Sequence, residues 1–130
     1  MPDDRKELSD YRLKQADDSL KVASLCVNDG FYKDSINRSY YSAFYAVKAV
    51  LALDKVDFKR HKDVIAHFNQ YYVATDIFQR DIGKQLASLQ KLRERVDYND
   101  FYIASKEIAL SQIDVAELIF DSVKNYLSKS

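Results

Sequence analysis

The sequence predicts an all-α protein, and three observations carry that prediction. Only 2 Gly and 1 Pro occur in 130 residues, so few positions can host the tight turns of a sheet protein. Hydrophobic residues make up 47% of the chain and charged residues 31%, the mixture expected of long amphipathic helices. Apolar residues also recur at alternating spacings of three and four, the period of one helix face. The expected architecture is an up-and-down four-helix bundle with one extra short helix. It forms from a single domain, residues 1–130, in which residues 1–8 are a flexible N-terminus.

The first helix is expected over residues 9–28, where Leu13, Ala16, Leu20, Ala23 and Val27 share a face. Asn28, Asp29 and Gly30 close it, because all three tolerate a left-handed backbone. The second helix, residues 34–53, starts at once; Asp34 suits the positive end of the macrodipole, and the short connection makes the two helices an antiparallel hairpin. Its seam is Ile36, Tyr40, Ala43, Val47 and Val50, while Arg38, Tyr41, Tyr45 and Lys48 keep the same spacing on an adjoining face. With two surfaces to cover, this helix is expected to bury the second against another chain.

Residues 54–62 lose the apolar period and read as a connection. A short helix follows, with Val64, Ile65, Phe68 and Tyr72 inward. Thr75 and Asp76 then offer a cap for a helix carrying Ile82, Leu86, Leu89 and Val96 at bundle spacing, and Gly83 weakens it only near its start. Residues 97–105 break the period again. The last helix repeats Ala109, Ile113, Ala116, Phe120, Val123 and Leu127 in threes and fours.

Twenty basic residues balance twenty acidic ones, which excludes a whole-molecule field for non-specific binding of nucleic acid and leaves only local patches. Cys26 is the only cysteine, so no intrachain disulfide forms, and its apolar neighbours suit a thiol packed as a small hydrophobe. The start of the chain, MPDDRKELSD, lacks the apolar core of a secretion signal, and no stretch reaches ~18 uncharged apolar residues. A cytoplasmic protein without membrane association is expected. His61 and His67 do not share a helix face and have no acidic or cysteine partner at ligand spacing, so neither a metal nor another cofactor is expected.

Three segments together carry a resemblance: GFYKDSINRSYYSAFYAVKAVLAL from Gly30, HKDVIAHF from His61, and KLRERVDYNDFY from Lys91. In this order and at these separations the chain resembles the HEPN superfamily, in its small single-domain branch, uncharacterised protein family 0332. The resemblance implies a helical bundle that forms a homodimer and is encoded beside a minimal nucleotidyltransferase, the pair acting as a toxin-antitoxin or defence module. It also implies metal-independent RNA cleavage by an arginine followed, after four to six intervening residues, by a histidine, two copies meeting at the dimer interface. There an arginine fork holds the phosphate and an imidazole moves the 2′-hydroxyl proton.

By that resemblance Arg93 and Tyr98 are the catalytic candidates, with tyrosine standing in the histidine slot. In the register that begins at Arg95 the slot holds Asp100, and Tyr102 follows; neither register supplies an imidazole. In some related pairs the nucleotidyltransferase attaches AMP to a tyrosine near the motif, for which Tyr102 or Tyr98 is the candidate. Arg60 and His67 also have a matching spacing, outside the expected place.

The binding candidates are Arg38, Tyr41, Tyr45, Arg95, Asp97, Tyr102 and His61, since arginine forks and tyrosine rings suit phosphates and bases. Each has a plainer alternative. Arg38 can be tied to Asp34 or Asp97 inside the bundle, the segment from Arg93 to Tyr102 can be an ion-paired helix end with aromatic packing, and His61 can lie in a solvated basic loop with Lys59, Arg60 and Lys62. Two functions remain open: the RNA- or nucleotide-binding HEPN half of a nucleotidyltransferase pair, or a non-enzymatic module that docks a partner protein.

Overall fold

The structure, a computed structural model, describes residues 4–129. Helix α1 runs over Asp4–Asn28, α2 over Tyr32–Leu53, α3 over His61–Phe68, α4 over Arg80–Tyr98 and α5 over Lys106–Ser128. A π-helical turn, Asn69–Val73, continues α3. Among the described residues there is no strand, and the all-α expectation holds. Two boundaries differ from it. Residues 4–8, expected to belong to a flexible N-terminus, are helical, and α4 begins after Thr75 and Asp76 instead of on them. Thr75 Oγ1 instead donates to the Tyr71 carbonyl at 2.9 Å, and Asp76 adopts a φ of 63°, so both residues serve the turn that ends the π segment.

Helix α2 is the centre of the bundle, with thirteen of its 22 residues buried, and it touches α1, α3, α4 and α5. The side of α2 bearing Tyr41 and Tyr45 packs against the main core of its own chain, which includes Val64 and Phe68 of α3 and Leu86 and Leu89 of α4.

The α1–α2 hairpin is held by small residues. Ser9 Oγ donates to the Ala49 carbonyl at 2.7 Å, Ser42 Oγ to the Ala16 carbonyl at 2.8 Å, and Ser35 Oγ to the Ala23 carbonyl at 2.8 Å. Each pair lies seven residues from the next on both helices, so the seam is a heptad of Ser and Ala in antiparallel register. All six residues are buried. Their size lets the backbones approach until a serine hydroxyl reaches a carbonyl that already serves its own helix.

Gly30 ends α1 with a φ of 83°; Phe31 N–H donates to the Cys26 carbonyl at 2.8 Å and Gly30 N–H to the Val27 carbonyl at 3.2 Å, the paired bonds of a Schellman turn. A Cβ here would meet nothing within 4 Å, so the demand on glycine is purely conformational. Gly30→Ala is therefore expected to cost about 1–2 kcal/mol, read from the midpoint of a urea titration; an unchanged midpoint would show that the turn relaxes. Gly83 answers a different need. A Cβ on it would sit 3.1 Å from Asn69 Oδ1 and 3.2 Å from Val73 Cγ1, so its bare Cα lets α4 press against the π segment.

The apolar core has a large cluster around Tyr40, Phe68, Leu86 and Ile119, and a smaller one of Ala23, Val27, Ile36, Val96, Ala109 and Ile113. Cys26 is half-buried; burial, then the carboxylate of Asp34, pushes its thiol up and away from reactivity.

Candidate functional site

Polar side chains from α2, α3 and α4 converge on the ring of Tyr41. From α2, the Arg38 guanidinium carbon lies 4.9 Å from the ring centroid. From α4, that of Arg93 lies 5.5 Å from the same centroid and 5.1 Å from that of Tyr40, and Arg93 Nη2 donates to Tyr41 Oη at 3.3 Å. Arg93 is in phase with Leu86 and Leu89 and is carried inward with them, its side chain only 17% exposed. Stacking on aromatic faces at that burial is worth about 1–2 kcal/mol, enough to hold a guanidinium where water is scarce.

One carboxylate and one amide tie the two arginines together. Arg93 Nε pairs with Asp97 Oδ2 at 3.0 Å, one turn along α4. Asn37 Nδ2 reaches both Asp97 oxygens at 3.5 Å, while Asn37 Oδ1 accepts from Arg38 Nη2 at 2.9 Å and Arg38 Nε at 3.3 Å. Arg38 is thus bonded to an amide oxygen and not to the carboxylates of Asp34 or Asp97. The Asp97 carboxylate thus pairs with Arg93 alone, and with Arg38 held only by an amide the cluster is left cationic.

The other side of Tyr41 is occupied by His61, the first residue of α3. Its ring lies tilted over Phe44 with centroids 4.1 Å apart and meets Tyr41 edge-on at 5.7 Å. His61 Nδ1 and Tyr40 Oη share a hydrogen bond of 3.2 Å. Tyr40 is fully buried, and burial pushes its phenol up to about 12, so it stays protonated. Burial, and after it the charges of Arg93 and Lys48, holds His61 below its ordinary 6.5, so the imidazole is neutral at pH 7. Lys48 in turn pairs with Asp57 at 3.4 Å, and Arg12 approaches the same carboxylate at 3.9 Å.

The structure thus brings together Arg38, Tyr41, Arg93, Asp97 and His61, with Tyr45 tilted against Tyr41 at 5.9 Å. Arg95, Tyr98 and Tyr102 do not join them. Arg95 is exposed with Lys84 and Lys91 along the outer side of α4, Tyr98 is 80% exposed, and Tyr102 packs on the smaller core cluster. Arg60 is bound to Asp63 at 3.0 Å and His67 lies between Phe58 and Tyr71, so that pair forms no site. His61 itself leaves the basic loop and turns inward, while Lys59, Arg60 and Lys62 remain exposed. Asn37, Tyr40 and Phe44 are part of the site without having been singled out for it. Asn37 beside Arg38 was the available signal, an amide with both donor and acceptor next to a guanidinium.

Among the described residues no group of His, Cys, Asp or Glu could hold a metal ion, and no helix is long and apolar enough to cross a membrane. What the cluster can do chemically is bind an anion with arginine forks, stack a planar group on tyrosine, and exchange a proton at a neutral imidazole.

Comparisons with known proteins point in one direction. The family model for the HEPN domain matches residues 9–126. A UPF0332 protein of Thermotoga maritima is 26% identical over 124 residues, 95% of this chain and 94% of the relative. A candidate toxin of Methanocaldococcus jannaschii is 29% identical over 114 residues, 88% of this chain and 84% of its own length. A UPF0332 protein of Pyrococcus horikoshii is 35% identical over 83 residues, 64% of this chain and 58% of the relative.

Proposed function

The chain belongs to the HEPN domain family, in its UPF0332 branch, and from that premise we propose that it is the toxin-like half of a two-component cytoplasmic module whose other half is a minimal nucleotidyltransferase. In this reading it binds RNA, holding a phosphodiester over the Arg38–Tyr41–Arg93 cluster. The relatives named as candidate toxins support the toxin reading.

The observation that carries the binding reading is the convergence of two guanidinium groups on one tyrosine ring with one carboxylate between them. A net-neutral protein gains little from concentrating cations in one half-buried place unless an anion comes to it. Arginine forks fit phosphate oxygens, and the tyrosine faces beside them suit a stacked base. A homodimer is part of the proposal. Phe31, Tyr98, Phe101 and Ile103 are all more than half exposed, and Phe31 and Ile103 border one shallow pocket between the start of α2 and the α4–α5 loop.

The test is growth after induced expression, alone and together with the neighbouring open reading frame, combined with titration of the purified protein with labelled single-stranded RNA. Growth arrest relieved by the neighbour, with RNA bound by the purified protein, is the expected result. Unimpaired growth and no RNA binding would instead favour a non-enzymatic module that docks another protein.

A further inference from the structure

We propose that the outer faces of α4 and α5 form the contact between two copies of this chain, with α4 of each copy lying over α5 of the other so that cations meet anions. This rests on the homodimer reading above and names its face. The charges are sorted by helix. On the side of α4 turned away from Ile82, Leu86 and Leu89, Lys84, Lys91 and Arg95 form a strip with the small residues Ala87 and Ser88 among them. On the side of α5 turned away from Ala109, Ala116 and Val123, Asp114, Glu117 and Asp121 recur at helical spacing. All six charged residues are exposed, and among the described residues none pairs with an opposite charge. Glu94 flanks the first strip and Lys124 the second, and neither interrupts it. A net-neutral chain that keeps unpaired cations on one helix and unpaired anions on the next presents a surface complementary to its own copy.

The heights of the two strips match. Helices α4 and α5 run antiparallel, since Ile82 shares a groove with Ser122 and Asn125, and Val96 shares a cluster with Ala109 and Ile113. At about 1.5 Å per residue, Lys84 is level with Asp121, Lys91 with Glu117 and Arg95 with Asp114, each to within about 3 Å. A two-fold axis running along the bundle preserves these heights and sets α4 over the partner's α5, so every cation of the strip stands over an anion. An axis across the bundle would set α4 on α4 and α5 on α5, like charge on like.

The same axis seats apolar groups. Leu118, 48% exposed, is level with Ala87 and Ser88, whose small side chains leave room for it, and Leu110, 42% exposed, is level with Tyr98. Phe101 and Ile103, exposed in the α4–α5 loop, come to the same end in both copies and extend the contact there. Arg93 reaches Tyr41 from the opposite side of α4, so each copy keeps its own cluster and the two clusters do not meet.

The experiment is sedimentation velocity of the full chain at low and high salt. It compares wild type with two double variants, Lys84→Glu with Lys91→Glu and Asp114→Lys with Asp121→Lys, each alone and then mixed in equal amounts. Wild type is expected to be a dimer at micromolar concentration whose dissociation constant rises with salt, because exposed charges are screened over about 10 Å at about 0.1 M. Each double variant alone is expected to dissociate about a hundredfold more readily, since its facing charges become alike. The mixture is expected to recover the wild-type constant, because the first variant carries two acidic faces and the second two basic ones. Far-ultraviolet circular dichroism should match wild type in both, as only exposed residues change.

A wild-type monomer would overturn the homodimer reading and this face together. A wild-type dimer that either double variant leaves at full strength, or two monomeric variants that stay apart when mixed, would overturn the face and leave the homodimer reading standing. Should a double variant fail to fold, Leu118→Lys decides, and a wild-type constant there counts against the face.

Discussion

Replacing Arg93 with alanine is expected to lower affinity for single-stranded RNA by about tenfold or more at fixed salt. A charge-assisted hydrogen bond is worth about 1.5–3 kcal/mol, and 1.4 kcal/mol is a factor of ten in affinity. The substitution should leave the fold intact, since the Arg93–Asp97 pair is partly solvated at the Asp97 end, 28% exposed, and such pairs contribute about 0–1 kcal/mol. A loss of binding therefore reads on the ligand. Arg93→Lys should fall between the two, because lysine keeps the charge but not the fork that spans Tyr41 Oη and a phosphate. Arg95→Ala is the matched control, a cation two residues away that lies outside the Tyr41 cluster and is exposed. Anisotropy titrations at several salt concentrations measure all four proteins. If Arg93→Ala binds as wild type does, or if Arg95→Ala loses as much, the Tyr41 cluster is not where RNA sits.

What the sequence made legible, and what it did not, follows from how local each feature is. Period sets which residues share a helix face, so the inward phase of Leu86, Leu89 and Arg93 and the seam of Ile36, Tyr40, Ala43, Val47 and Val50 could be read directly. The resemblance likewise pointed to the segment that supplies Arg93. Direction at a loop–helix junction is not local. Whether His61 faces water with Lys62 or faces Phe44 depends on the angle at which α3 docks on α2, and no spacing within residues 54–68 encodes that angle. Tyr98 stands apart from the cluster for the converse reason. Its place in the motif is set along the chain, but α4 ends there and the side chain leaves the bundle of its own chain. The Ser and Ala seam was missed because a pattern sought in apolar residues counts Ser9, Ser35 and Ser42 as polar, although each hydroxyl is satisfied by a carbonyl across the helix pair.

That seam carries the largest expected effect on stability. Ala16→Leu should cost about 2–6 kcal/mol, from overpacking at about 1–3 kcal/mol together with a similar amount for a buried hydroxyl deprived of its partner. Ala16 is fully buried, and the Ser42 hydroxyl sits 2.8 Å from its carbonyl, so an isobutyl group cannot enter without parting α1 from α2. The neighbouring pairs, Ser9 with Ala49 and Ser35 with Ala23, resist that separation and make the cost hard to relax away. Ser42→Ala separates the two contributions. It removes the hydroxyl and no volume is added, while the Ala16 carbonyl keeps its place in α1, so only about 0.5–1.5 kcal/mol should be lost. Lys14→Ala, on the exposed side of α1, should stay within about 0.5 kcal/mol of wild type. Urea titrations followed by far-ultraviolet circular dichroism rank the three. A midpoint for Ala16→Leu close to that of Lys14→Ala would mean that α1 does not lie against Ser42, and the register of the hairpin would have to be redrawn.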